Sequence, residues 1–265
     1  MNDVVGRDDL LWITFDTLRY DVAQKAWSAG RTPHLSRRLG PAGWEKRQSP
    51  GNFTYAAHAA FFAGFLPTPA SPGRHPRPFA LAFPGSETTT PYTAVLEGDN
   101  IVTGLALRGY HTICIGGVGF FNRQSPLGGV FPNLFHESYW SPQMGVTNPE
   151  STFHQVQLAV RLLHQQPREQ RVFLFLNISA LHQPNHYYLR GAIKDSPASQ
   201  QAALEYVDAQ LPVLFDALSC RRSGFGILCS DHGTAYGEDG YVGHRLGHPV
   251  VWTVPYAEFL WEQQP

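Results

Sequence analysis

The chain has no surplus of charge of either sign, and this absence excludes several classes of partner. Its 265 residues include 20 Lys and Arg against 21 Asp and Glu, so the formal net charge is −1 at pH 7. Surfaces that bind nucleic acid or anionic membranes need a basic excess. We therefore expect neither a nucleic-acid nor a membrane partner, and the sequence does not indicate the oligomeric state.

Cysteines and long apolar runs are also scarce. The cysteines, Cys114, Cys220 and Cys229, are odd in number and lack CxxC spacing, which argues against a disulfide framework. No stretch approaches the ~20 apolar residues of a membrane span. The N-terminus has acidic residues where a signal peptide would be basic, and its apolar run is too short. These absences predict a soluble, cytoplasmic protein.

Short apolar runs indicate buried parallel strands, which are apolar on both faces. Three such runs cover residues 10–15, 172–179 and 225–230, and residues 111–117 are a fourth candidate. With no repeat and no clear boundary along the chain, we expect one domain over residues 1–265.

Helical spacing of apolar residues appears between these runs. It predicts one helix over 203–218, a shorter helix around 152–164, and a third from Ala56 onward. Strands that alternate with helices predict an α/β fold with a mainly parallel sheet covered by helices.

Three of the predicted strands end in residues that can bind metal ions. Asp16 follows the first, His182 and His186 follow the second, and Asp231 and His232 follow the last. A single aspartate there is as typical of a helix cap or turn. In open α/β sheets, however, sites form at the carboxyl ends of strands, so three such ends favour one shared site.

His182 and His186 are four residues apart, but Pro184 lies between them and argues against a regular helix. We interpret them as ligands presented by a loop, with a pair of surface histidines as the alternative.

Thr54 stands just before the helix predicted from Ala56, where an N-cap hydroxyl is expected. Capping is one role. The other uses the helix N-terminus, whose free N–H groups suit a phosphate or sulfate. The hydroxyl would be a nucleophile only if a metal or base favoured its deprotonation.

Five segments together resemble a known family. They read ITFDTLRYD, TPHLSRRL, FTYAAHAAFFAGFLPT, LALRGYHTICIGG and CSDHGTAYGEDGYVGH, in that order, between about residues 13 and 255. The chain resembles the alkaline phosphatase superfamily, most of all its sulfatase and phosphodiesterase branch. The resemblance implies a three-layer α/β sandwich and a metal-dependent hydrolase of phosphate, phosphodiester, phosphonate or sulfate esters.

The resemblance also implies roles for individual residues. Asp16 would be a metal ligand at the first strand, Asp231 and His232 would complete that metal's shell, and Thr54 would bind the metal and act as the nucleophile.

A second metal ion would be held by His182, His186 and His244, with His248 as the alternative to His244. In the two-metal phosphodiesterases the first of these positions is an aspartate. Without a second ion, His182 and His186 would bind the anion or protonate the leaving group.

Two departures from the family narrow the chemistry. Sulfatases carry Cys/Ser-x-Pro-x-Arg, where this chain has Thr54, Ala56 and His58. That favours the threonine nucleophile of phosphodiesterases and phosphoethanolamine transferases, and leaves His58 as an anion contact or a packed helix residue. Thr17 replaces the second aspartate of many calcium-dependent sulfatases, and the imidazole of His232 favours zinc or manganese over calcium.

The sequence therefore predicts hydrolysis of a small-molecule phosphate or sulfate ester with one or two divalent ions. A phosphoryl transferase on the same scaffold and a decayed, metal-stabilised binding protein are the alternatives. Specificity is expected in residues 67–91 and 116–149, where Arg123 could meet an anion. Aromatic side chains that could line a pocket there are Phe120, Phe121, Phe131, Phe135, Tyr139 and Trp140.

Five residues near the predicted ligands are expected to be structural. Glu238 and Asp239 are interpreted as solvated turn residues, and Arg19, Tyr20 and Asp21 as groups that tie the first helix to the sheet.

Overall fold

A computed structural model of the protein describes residues 3–64, 79–80, 94–95 and 100–264. The predicted specificity loop at 67–91 therefore lies outside the described residues, apart from 79–80. The single domain predicted over residues 1–265 stays a prediction.

Strands and helices alternate along the chain, as the apolar runs predicted. The strands are β1 (Asp9–Phe15), β2 (Glu45–Gln48), β3 (Phe79–Ala80), β4 (Ala94–Val95), β5 (Tyr110–Ile115), β6 (Glu137–Tyr139), β7 (Arg171–Ile178), β8 (Gly224–Ser230), β9 (Ala235–Tyr236), β10 (Val242–Gly243) and β11 (Thr253–Trp261). The helices are α1 (Tyr20–Ser28), α2 (Pro33–Ser36), α3 (Thr54–Ala63), α4 (Ile101–Leu107), α5 (Pro126–Gly129), α6 (Ser151–Gln165), α7 (Pro197–Gln210), α8 (Pro212–Arg221) and α9 (Pro249–Trp252). None of these helices has the length and apolar character that a membrane span requires.

The central sheet has seven strands in the order β2-β11-β8-β1-β7-β5-β6. Five neighbouring strands, from β8 to β6, are parallel. β11 runs antiparallel to both β8 and β2. The predicted class, an α/β fold with a mainly parallel sheet, is confirmed.

β1 lies inside the sheet and shows why its sequence is apolar on both faces. Leu11 and Ile13 belong to one buried cluster, with residues of α1, α6, α7 and α8. Leu10 and Trp12 belong to a second cluster, with residues of α3 and α4. Burying each such side chain contributes roughly 1.5–3 kcal/mol to stability. Helices thus cover both faces, which gives the three layers expected.

The single helix predicted over 203–218 is wrong. α7 ends at Gln210 and α8 begins at Pro212, because proline has no N–H to donate and clashes with a continuing helix. Val207 of α7 and Leu214 of α8 pack into the same buried cluster, so the apolar spacing runs on across the break.

Candidate active site and metal centre

Two neighbouring strand ends bring Asp16, Asp231 and His232 together. β1 and β8 are paired in parallel with Phe15 opposite Ser230, so the residues that follow them emerge side by side. One ligand atom from each of the three lies within 4.8 Å of the others, and all three side chains are fully buried.

Gly233 keeps the loop after β8 in place. A Cβ at this position would lie 2.0 Å from the carbonyl oxygen of Val250, so only glycine fits. Its backbone N–H donates to Val251 O at 2.6 Å. The segment after His232 is thereby packed directly against the chain that leads into β11.

Thr54 lies against this group. It is the first residue of α3, and Phe53 occupies the cap position without a side-chain bond, so the predicted capping role of Thr54 is wrong. Its Oγ1 instead donates to Asp16 Oδ2 at 3.4 Å and lies 3.3 Å from His232 Nε2. A Cβ on Gly51 would come within 2.5 Å of the Ala57 nitrogen, so glycine lets the preceding loop pack closely on α3.

The two carboxylates leave oxygen atoms for which the described part of the chain offers no hydrogen-bond donor. These atoms are Asp16 Oδ1 and Asp231 Oδ2, both buried. Asp16 Oδ2 accepts from Asn177 Nδ2 at 3.2 Å. Asp231 Oδ1 accepts the backbone N–H groups of Thr17 and His232, at 3.1 and 2.9 Å.

Such a pair fits a bound cation. Neither carboxylate forms an ion pair with a lysine or arginine among the residues described. Burial, and then repulsion by Asp231, raises the pKa of Asp16 to about 6. Burial raises the pKa of Asp231 to about 7. Buried carboxylates are stable when they are paired or bind a metal ion, and a divalent ion would supply the missing partner of both.

His182 and His244 lie beside His232. The ring centroid of His244 is 4.6 Å from that of His232 and 5.7 Å from that of His182. Burial, and then the neighbouring His232 and His182, lower the pKa of His244 to about 3, so its imidazole is neutral. The ring nitrogen Nδ1 of His182 contacts the carbonyl oxygen of Gln183, which leaves Nε2 as the available atom.

The structure does not bring His186 or His248 to this group. His186 Nδ1 lies 3.2 Å from Asp195 Oδ1, which also accepts the His186 backbone N–H, and the pairing of His186 with His182 at one ion stays a prediction. His248 accepts the N–H of Val250 at the start of α9, and its Nε2 lies 3.0 Å from Asp239 Oδ2. The geometry thus favours His244 over His248.

His58 takes the packed role of its two alternatives. Its side chain is fully buried, with Nδ1 2.8 Å from the carbonyl oxygen of Thr54 and Nε2 3.2 Å from Thr14 Oγ1. Burial lowers the pKa of His58 to about 3, so the ring is neutral. Aromatic rings surround it, those of Phe61, Phe62, Phe121, Phe131 and Phe175.

A comparison of the sequence with family models identifies the family. The model described as Sulfatase matches residues 8–256. The chain belongs to the sulfatase family. The resemblance seen in the sequence motifs is confirmed, and membership in the sulfatase family supports an enzyme of phosphate- or sulfate-ester chemistry. No curated protein gives a significant match to the sequence.

Several solved structures have a similar fold. The C-terminal periplasmic domain of phosphoethanolamine transferase EptC from Campylobacter jejuni has a TM-score of 0.64 at 14% identity, covering 98% of this chain and 81% of that one. The same domain of EptC from Escherichia coli, in complex with Zn, has a TM-score of 0.65 at 12% identity, covering 97% and 73%. The lipoteichoic acid synthase LtaP from Listeria monocytogenes has a TM-score of 0.58 at 13% identity, covering 98% and 66%. These likenesses show that the sulfatase-family fold is shared.

Arg245 is a charged residue near the site that sequence reasoning missed. It adopts a left-handed backbone with φ 69°, and its N–H donates to Asn52 O at 2.8 Å. The guanidinium carbon lies 5.4 Å from the ring centroid of Phe53. Burial is the largest cause that lowers the pKa values of His232 and His244, and the Arg245 charge adds to both. In the sequence, only its position directly after His244 indicated that Arg245 lies near the site.

Glu238 is not the solvated turn residue predicted. Its carboxylate pairs with Arg19, whose side chain is 5% exposed, and Arg19 also pairs with Asp21 at 2.6 Å. The loop between β9 and β10 is therefore fixed to the start of α1, as the structural role predicted for Arg19 implies. The Asp239 side chain is 83% exposed, in agreement with its prediction.

The raised pKa values predict how metal binding depends on pH. The folded, metal-free protein holds protons on Asp16 and Asp231 that the unfolded chain, with pKa values near 3.8, releases. Its free energy of unfolding therefore falls as pH rises from about 4 to about 7. A metal ion displaces these protons, so its affinity rises over the same range. Thermal melts should show a larger zinc-induced rise in Tm at pH 7.5 than at pH 5.5, and equal shifts would contradict this.

Proposed function

We propose that the protein transfers a substituted phosphoryl group from a phosphodiester to an acceptor hydroxyl, through a covalent intermediate on Thr54. The observation that carries this proposal is the position of Thr54 Oγ1 between Asp16 Oδ2 and His232 Nε2, at 3.4 and 3.3 Å. The phosphoethanolamine transferases of similar fold support transfer over the hydrolysis that the sequence first predicted. Hydrolysis would share the first step and use water as the acceptor.

Asp16, Asp231 and His232 would hold a divalent ion, with Thr54 Oγ1 beside it. His232 Nδ1 lies 2.8 Å from Gly233 O, a contact that places its proton on Nδ1 and leaves Nε2 as an acceptor. When bound, the ion supplies positive charge that favours the threonine alkoxide and offsets the charge of the transferring group. The mixed carboxylate and imidazole donors favour zinc or manganese.

Thr54 Oγ1 attacks phosphorus, and the Oγ–P bond forms as the P–O bond to the leaving alcohol breaks. The hydroxyl proton leaves along its hydrogen bond to Asp16 Oδ2. His182 Nε2 would donate a proton to the leaving oxygen. In the second half, His182 Nε2 accepts the proton of the acceptor hydroxyl, whose oxygen attacks phosphorus as the Oγ–P bond breaks. Thr54 Oγ1 then takes its proton back from Asp16 Oδ2.

Two further residues would hold the donor. Arg245 lies beside His244 and Phe53, where its guanidinium can bind non-bridging oxygens of the phosphoryl group. His244, neutral beside His232 and His182, would bind a second ion together with His182 Nε2 when one is present, and the proton transfers assigned to His182 apply when none is bound. Replacing Arg245 with glutamine is expected to raise KM for the donor about 10-fold, since one charge-assisted hydrogen bond is lost.

Partition between water and an alcohol tests the proposed reaction. The zinc-loaded or manganese-loaded protein is incubated with ethyl 4-nitrophenyl phosphate and increasing glycerol, and products are quantified by ³¹P NMR and mass spectrometry. We expect the ethyl glyceryl phosphodiester to form in proportion to glycerol, at the expense of ethyl phosphate. Ethyl phosphate as the sole product would reject transfer in favour of hydrolysis.

A wider screen tests whether the site is catalytic at all. Aryl phosphate, phosphodiester, phosphonate and sulfate esters serve as substrates. If metal-dependent product release is seen with none of them, the binding-protein alternative is favoured.

The substrate class proposed is a small ester. The cytoplasmic location stays a prediction, because two of the similar structures are periplasmic domains.

A further inference from the structure

A cavity of about 470 Å³ opens at the β6 edge of the sheet. It lies between residues 121–123, residues 138–141 and α6. β6 is three strand positions from β1 in the sheet, about 14 Å at the usual strand spacing of ~4.8 Å. None of the residues that line the cavity belongs to the group formed by Thr54, Asp16, Asp231 and His232. Its volume lies within the range of roughly 300–1,000 Å³ typical of ligand sites.

Two arginines give the cavity its charge. Arg123 and Arg161 both line it, and none of the lining residues that the structure describes is acidic. Neither arginine forms an ion pair within the described ranges. A guanidinium group offers a planar set of donors that matches the oxygens of a phosphate or carboxylate.

The backbone holds Arg123 in an unusual conformation. Its φ is 56°, a left-handed value that residues other than glycine rarely adopt and that persists where the surroundings fix it. Its N–H donates to Gly128 O at 3.0 Å, and Nη2 lies 3.4 Å from Pro132 O. These contacts fix the conformation of the loop that carries the Arg123 side chain.

The wall of the cavity combines aromatic and polar groups. Phe121, Tyr139 and Trp140 line it, whereas Phe131 and Phe135 are buried in the core. The indole N–H of Trp140 donates to Gly117 O at 3.4 Å, which fixes the ring. Ser138 also lines the cavity, and its hydroxyl oxygen is buried without a hydrogen-bond partner in the described chain.

We propose that this cavity is a second binding site, which takes an organic anion about the size of a sugar phosphate. The oxyanion binds Arg123 and Arg161, and the body of the ligand packs on Trp140. Ser138 supplies a hydroxyl to the same ligand. This inference does not rest on the proposed transfer reaction, because none of these residues belongs to the group around Thr54.

Isothermal titration of the full, zinc-loaded chain tests the site with glucose 6-phosphate, glucuronate, inorganic phosphate and glucose. We expect both organic anions to bind more tightly than inorganic phosphate, and glucose not to bind. Loss of one charged hydrogen-bonding group weakens binding about 10- to 100-fold, so Arg161→Ala should weaken glucose 6-phosphate by that factor. Arg123→Ala combined with Arg161→Ala should abolish binding.

The controls separate this site from the catalytic group. Arg161 is exposed on α6, so its replacement tests the proposal even if Arg123→Ala disturbs its loop. Arg168→Ala, which removes an exposed arginine outside the cavity, should bind like the wild type. Unchanged binding in Arg161→Ala, or binding lost in Asp231→Asn and retained in Arg161→Ala, would overturn the proposal. Because the titration contains no phosphodiester donor, failure here leaves the proposed reaction untouched.

Discussion

Replacing Thr54 with alanine is expected to lower turnover by ~10⁴-fold or more, since loss of a nucleophile removes the covalent route. Thr54 Oγ1 is the hydroxyl that lies between Asp16 and His232. Residual release of 4-nitrophenol from an aryl phosphodiester, followed with excess zinc, measures the effect. The metal content should stay near the wild-type value, because the carboxylates and the imidazole remain.

Thr54→Ser is the matched control. It keeps the hydroxyl and removes only a methyl group, so it should retain turnover within about 10-fold of the wild type. Intact-mass analysis after rapid quenching should show the phosphoryl adduct in the wild type and the serine variant and not in the alanine variant. Turnover by the alanine variant close to that of the wild type would reject Thr54 as the nucleophile.

Asp231→Asn should remove the metal ion while the fold persists. The amide oxygen can keep the bonds from the N–H groups of Thr17 and His232, and the amide nitrogen replaces the oxygen Oδ2. We expect metal content to fall by about one ion per chain and turnover by ~10³-fold or more. Zinc at 100 times its Kd stabilises the wild type by about 2.7 kcal/mol. That corresponds to roughly 5–10 °C in Tm, and the variant should lose this shift.

The same substitution should have the opposite effect on the metal-free protein. Burial raises the pKa of Asp231 to about 7, so ionising it above that pH costs folding free energy. In EDTA at pH 8 the asparagine variant should therefore melt at or above the wild-type Tm. A lower Tm there, or a zinc shift equal to that of the wild type, would contradict a metal role for Asp231.

Asp208→Asn is the control for loss of a buried carboxylate. Asp208 accepts the N–H groups of His34 and Leu35 at 3.2 and 2.7 Å, at the start of α2. The Asp208 carboxylate accepts hydrogen bonds from backbone N–H groups and is not proposed to bind a cation. Replacing it should therefore lower Tm by the same amount with and without zinc. Metal content and turnover per folded molecule should be unchanged.

The sheet was predictable where strands are covered on both faces. Residues 10–15 and 172–179 read as continuous apolar runs because helices pack on either side, and β1 and β7 lie there. β11 was not predicted, because it is not a continuous apolar run: buried and exposed residues alternate along it from Ala257 to Trp261. Strict alternation is the pattern of a strand with one exposed face, and counting it would have found β11.

The candidate metal ligands were predictable where they directly follow the end of a strand. Asp16, Asp231 and His232 meet because β1 and β8 are parallel neighbours. The apolar runs predicted the parallel strands but not that these two are adjacent. Asn177, which donates to Asp16 Oδ2, is a polar residue inside the apolar run 172–179, and the sequence alone assigned it no role.

Side chains on loops were less predictable. His186 turns to Asp195 and Arg245 lies over Phe53, and both positions depend on loop contacts between residues that the sequence does not pair by any period. Periodicity fixes which face of a strand or helix is buried, and it does not fix the path of a loop.

The central position of β1 has a consequence for how the protein folds. Phe15 of β1 lies opposite Ser230 of β8, a residue 215 positions later in the chain. Contacts over such separations must close a very long loop, which makes folding slow compared with that of proteins held by local contacts. Asp16 therefore remains a lone carboxylate until β8 docks beside β1. A metal ion bound by both Asp16 and Asp231 would accordingly be captured late, after β8 has paired with β1, and would then link these two strand ends.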